Sequence, residues 1–96
     1  GEASMKNFHV EKVHWPNNKT GKHEFEYVNT ATWPRKSICY VGCYDKEFAN
    51  RHAGGKIWYV AVLHDKLRNN GTWLYHFKYF EHAEVFANEC LLDAFS

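Results

Sequence analysis

Seven histidines, three cysteines and eleven acidic residues are the side chains of this 96-residue sequence with the most chemistry in them. Near neutral pH a histidine can pass a proton, hold a metal or report acidity, and a cysteine pair can bind metal or cycle through a disulfide. Spacing restricts both. His9, His14, His23, His52, His64, His76 and His82 contain no His-Glu-x-x-His helix and no His-x-His strand, so a histidine site would have to be assembled in space. His64 with Asp65 and His76, near one end of a hairpin, is the best acid–base group available. Cys39 and Cys43 would lie about 13 Å apart along an extended strand, beyond disulfide reach and awkward for one zinc ion, unless a bulge at Gly42 joined them. Together with Val41 they share one side of that strand, and Cys90 falls on the apolar side of a helix. All three therefore read as packing thiols. There is no Gly-x-Ser-x-Gly nucleophile turn, and Gly54-Gly55-Lys56 is too short for a phosphate loop. The expectation is no catalytic residue, no metal and no cofactor.

The elements that must position these groups are legible from periodicity. Two strand-like runs, Ile57 to His64 and Trp73 to Phe80, flank the turn signal Asn69-Asn70-Gly71. A helix is expected from Glu81 to Phe95, because Ala83, Phe86, Ala87, Cys90, Leu91 and Ala94 recur at helical spacing as one apolar stripe. Earlier in the chain, Asn7 to Trp15 and His23 to Thr30 read as a first hairpin across the turn-rich Pro16-Asn17-Asn18-Lys19-Thr20-Gly21. Phe25 and Tyr27 alternate with Glu24, Glu26 and Val28, one apolar and one mostly polar face, the pattern of an edge or half-exposed strand. After Trp33-Pro34 breaks regular structure, a strand from Ser37 to Tyr44 leads into a short helix or ordered loop. There Asp45 is placed to cap and Gly54-Gly55 to terminate. The fold class is α+β: an antiparallel sheet of about four or five strands with one C-terminal helix packed on a face.

A two-residue turn at Asn70-Gly71 sets His64 opposite Phe77 and Asp65 opposite His76. Trp58, Val60 and Val62 then share a face with Trp73, Tyr75, Phe77 and Tyr79, while Ile57, Tyr59, Ala61 and Leu63 share the other with Leu74, His76, Lys78 and Phe80. Both faces are too apolar for water, and one helix covers only one of them, so a second subunit or a partner is expected to cover part of the other.

Composition bounds the rest. A single domain from residue 5 to residue 96 is expected, with Gly1-Glu2-Ala3-Ser4 reading as a cloning scar ahead of Met5 and the natural product as one short complete gene product. No apolar run suits a membrane span or a signal peptide, and an odd number of cysteines suits a reducing compartment, so a cytoplasmic protein is expected. The net charge of +1 gives no global pull toward nucleic acid or anionic lipid. Local segregation exists: Lys46, Arg51, Lys56, Lys66, Arg68 and Lys78 precede a helix that carries Glu81, Glu84, Glu89 and Asp93 and no Lys or Arg.

Aromatic residues interleaved with basic ones can stack bases and clamp phosphates. Residues Gly55 to Val62, Gly71 to Tyr75, and Phe80 with Ala83, Phe86 and Ala87 resemble in layout the three-stranded-sheet-plus-helix DNA-binding domains of the AP2 and integrase-arm type. That resemblance covers about half the chain and implies Lys56, Lys66, Arg68 and Lys78 on phosphates with Trp58, Trp73 or Tyr75 stacking. The dense arginine set of such domains is missing, and the acidic helix would repel phosphate. The favoured expectation is instead a small non-enzymatic protein acting through a protein interface, self-associated, of the kind encoded by phages or other mobile elements. Its interface candidates are Tyr59, Leu63, Leu74, His76 and Lys78, with Trp15 and Trp33 as anchors. A small-ligand or metal pocket lined by cysteine and histidine is the third alternative.

Overall fold

The computed structural model describes residues 8–17, 21–29, 34, 36–64 and 71–94, with the backbone alone for 8, 9 and 11–17. The elements follow the order β1 (Phe8–Asn17), β2 (Gly21–Asn29), β3 (Lys36–Tyr44), α1 (Lys46–His52), β4 (Trp58–Val62), β5 (Leu74–Phe77) and α2 (Phe80–Asp93). The strands form one antiparallel sheet in the order β1-β2-β3-β4-β5, so each pairs with its neighbour in sequence and β1 and β5 are the edges. The α+β class and the C-terminal helix are as the periodicity requires.

α2 lies on the face made by Phe25, Tyr27, Cys39, Val41, Trp58, Val60, Val62, Tyr75 and Phe77. Ala83 and Ala87 are fully buried, because methyl groups let the helix backbone approach the sheet closely. Phe86 fills the gap toward the β5 edge, 4.6 Å from Tyr75 and 5.5 Å from Phe77 between ring centres. Phe80 does the same on the other side against Phe25 and Trp58. Burial of side chains such as Val41, Val60 and Val62 contributes about 1.5–3 kcal/mol each.

Several expectations are corrected. The β4–β5 register is Trp58↔Phe77, Tyr59↔His76, Val60↔Tyr75 and Ala61↔Leu74, not His64 opposite Phe77. β4 stops at Val62, and the Leu63 and His64 amides turn to the Ile38 carbonyl of β3, which lengthens the connection. Gly71 still adopts positive φ, whereas Asn69 and Asn70 lie outside the described residues. An even shift of register leaves the side chains of β4 and β5 on their expected faces, which is why α2 finds an apolar surface, whereas Phe80, expected beside Ile57 and Tyr59, begins α2 and packs on the opposite face.

β2 is not an edge strand. It runs between β1 and β3 and is the half-exposed strand of the two alternatives, although Glu26 on its supposed polar side is only 4% exposed. The bare second face is also not bare: α1 lays Phe48, Ala49 and Ala53 on Tyr44, Tyr59 and Ala61. Asp45 stands at the N-cap of α1 but makes no capping hydrogen bond through its side chain. Gly54 and Gly55, both at positive φ, end that helix as expected, with the Gly55 amide on the Ala49 carbonyl at 2.9 Å.

Candidate functional site

The polar side chains gather on the α1 face of the sheet, and a missing side chain makes room for them. Gly42 sits in the C-terminal half of β3 opposite Tyr59, and a Cβ there would fall inside the Tyr59 ring. Tyr59 therefore crosses β3 over Gly42 and reaches β2, where its hydroxyl and His23 Nδ1 share a hydrogen bond of 2.7 Å. His23 can receive it because β2 carries an extra residue at Glu24: His23 pairs with Gly42 and Phe25 with Val41. That bulge turns His23 to the same face as Glu26, three residues away, against simple alternation.

Two further groups complete the cluster. Tyr44 stacks on Tyr59 with ring centres 4.5 Å apart, and its hydroxyl shares a 2.9 Å hydrogen bond with His76 Nε2 on β5. Tyr40 stacks on His23 at 4.6 Å and donates its hydroxyl proton to Glu26 Oε2 at 3.1 Å. Ser37 donates to the same carboxylate oxygen. Five aromatic or imidazole rings and one carboxyl group thus run from β2 across β3 and β4 to β5.

Burial governs their protonation. It lowers the pKa of His23, and it lowers that of His76 with a smaller push from the Lys56 ammonium, so both imidazoles are held toward the neutral form. The same burial raises the Tyr44 and Tyr59 phenols, in Tyr59 with added repulsion from Tyr44, Cys43 and Glu24. Neutral phenols against neutral imidazoles can exchange a hydrogen bond without a buried charge. These hydrogen bonds join β2 to β4, β3 to β5 and β2 to β3, so they lock the four strands of this face together.

The residues singled out from sequence are dispersed. Among the interface candidates Tyr59 is buried, Leu63, Leu74 and His76 are half-buried, and Lys78 is exposed with its ammonium 5.6 Å from the Tyr79 ring centre. Trp15 pairs through its backbone with His23, and Trp33 lies outside the described residues. Of the nucleic-acid set, Lys56 and Trp73 are exposed, Trp58 packs on Phe80 at 4.9 Å, Tyr75 packs on Phe86, and Lys66 and Arg68 lie outside the described residues. His64 and His76 do not meet across the ladder, since His76 pairs with Tyr59 and bonds Tyr44. Asp65 lies outside the described residues, and His64 Nδ1 is buried with no hydrogen-bond partner among the described residues.

Cys43 is half-buried, and no bulge at Gly42 joins it to Cys39. Among the described residues no three His, Cys, Asp or Glu side chains are grouped to hold a metal ion, and no helix is long and apolar enough to cross a membrane. Sequence reasoning missed His23, Glu26, Tyr40 and Tyr44. Gly42 inside an otherwise aromatic and β-branched strand was the one available signal, because a strand glycine often marks close approach of another group. Comparison with protein-family models, curated proteins and solved structures finds no match to this chain.

Proposed function

We propose that this chain is a small non-enzymatic interaction protein that binds protein along the β5 edge of its sheet, in the first place a second copy of itself. The observation that carries the reading is the edge itself. β5 is the last strand of an open sheet, and the exposed aromatics Trp73 and Tyr79 stand at its two ends, 47% and 53% accessible. Edge strands present unpaired amides and carbonyls to another chain, and Trp and Tyr supply the anchoring area that such contacts need. The imidazoles and carboxyl group that would otherwise suggest chemistry bond to side chains of their own sheet: His23 to Tyr59, His76 to Tyr44, Glu26 to Ser37 and Tyr40.

Native mass spectrometry and light scattering test this on the wild type and on Trp73→Glu/Tyr79→Glu, two substitutions at exposed positions. The expected result is a wild-type dimer that the double variant converts to monomer with an unchanged circular dichroism spectrum. A wild type that remains monomeric at its highest soluble concentration, or a dimer indifferent to both substitutions, refutes the self-association. A monomer carrying the mass of an oligonucleotide or small molecule would replace it with that ligand class.

A further inference from the structure

We propose that, given self-association at the β5 edge, the second copy docks β5 against β5 on a two-fold axis through Tyr75, so that one antiparallel sheet runs through both copies with Leu74 of each opposite His76 of the other. The Val62 amide donates to the Trp73 carbonyl at 2.7 Å, and this bond sets the phase of the β4–β5 ladder. Bonded and non-bonded pairs alternate along an antiparallel ladder. In the observed register Val60↔Tyr75 and Trp58↔Phe77 are therefore bonded pairs, and Ala61↔Leu74 and Tyr59↔His76 are not. Trp73, Tyr75 and Phe77 turn their amides and carbonyls to β4, while those of Leu74 and His76 point off the open edge of the sheet. Among the described residues no backbone group of the chain bonds that side of either one.

Parity then restricts how two such edges can meet, because outward-pointing residues must face outward-pointing residues. Leu74 on Leu74 would carry His76 to Thr72, ahead of β5, and His76 on His76 would carry Leu74 to Lys78, in the bend that follows β5. Only Leu74 on His76 brings both outward residues of the four-residue strand into bonded pairs, and the two-fold axis repeats the pair. On the α2 face the same register sets Tyr75 beside Tyr75 of the second copy and Trp73 beside its Phe77. The Trp73 indole, 47% exposed in one copy, thereby gains aromatic neighbours that are already held in place by Phe86.

Disulfide trapping in the Cys43→Ser background, which removes the half-buried thiol, tests the register. The two Tyr75 positions form the non-bonded pair at the axis, where Cα atoms stand about 4.5 Å apart, within disulfide span. Tyr75→Cys should give a linked dimer on mild oxidation that dithiothreitol reverses. Leu74→Cys and His76→Cys should link to each other when mixed, and neither to itself, since the like positions lie diagonally about 7–8 Å apart. A self-linked Leu74→Cys or His76→Cys, or a mixture that does not link, overturns the register. Should Tyr75→Cys fail to fold, that mixture decides. Amide exchange reads the same edge without substitution: in the wild type the Leu74 and His76 amides should become protected as concentration drives the dimer, while Tyr75 and Phe77 are protected throughout. A dimer in native mass spectrometry whose Leu74 and His76 amides still exchange freely overturns this docking and leaves self-association standing. A wild type that stays monomeric overturns both.

Discussion

Replacing Gly42 with alanine is the sharpest test of how the α1 face is built. Strand glycine to alanine ordinarily stabilises by about 0.4–1 kcal/mol, because alanine has fewer unfolded conformations to lose. Gly42 has no left-handed backbone that would forbid the change. The obstacle is steric: the new methyl group would occupy the space of the Tyr59 ring, whose residue is only 3% exposed. Tyr59 would have to leave, giving up its 2.7 Å hydrogen bond to His23 and its stack on Tyr44. Overpacking costs about 1–3 kcal/mol and the lost hydrogen bond about 0.5–1.5, so after the alanine gain the expected net loss is about 0.5–4 kcal/mol. Against a stability of about 5–15 kcal/mol for a domain, that is a large fraction. Urea unfolding followed by tryptophan fluorescence measures it, with Tyr59→Leu as the second background. In that background Gly42→Ala should cost much less, because the ring it collides with is gone. A neutral or stabilising Gly42→Ala in the wild type, or equal costs in both backgrounds, would refute the crossing of Tyr59 over β3.

Two further outcomes follow from the same cluster. His23 and His76 are held below their ordinary pKa in the folded state, so the unfolded chain binds more protons just below pH 6.5; stability contributed by their neutral forms is complete above that value and is lost as pH falls through their lowered folded pKa values. Urea midpoints at pH 7.5 and 5 should show this loss, smaller in His23→Gln/His76→Gln, and an equal loss in that variant would contradict the assignment. Glu26→Ala should cost about 1–3 kcal/mol, since it removes the acceptor shared by the Ser37 and Tyr40 hydroxyls, while Glu26→Gln, which keeps an acceptor oxygen, should cost less than half as much. Parity of the two substitutions in a denaturant titration would show that the hydroxyls do not depend on that acceptor.

Much of the architecture was legible because strand and helix periods are local properties. Alternation along Trp58–Val62 and Leu74–Phe77 assigned their side chains to faces correctly even with the pairing misjudged, since the true register differs by an even step. The stripe through Ala83, Ala87, Cys90 and Leu91 marked the buried side of α2 for the same reason.

What the chain's periodicity could not contain is which distant elements compensate one another. The bulge at Glu24, the bed that Gly42 provides for Tyr59 and the pairing of His76 with Tyr44 each depend on residues from separate elements. Glu26 reads as solvent-facing by alternation and is buried because hydroxyls from β3 satisfy it. Local sequence determined the elements and their apolar sides; the placement of polar groups among them was decided only when the sheet closed around them, because a buried polar atom goes where a partner from another strand can meet it.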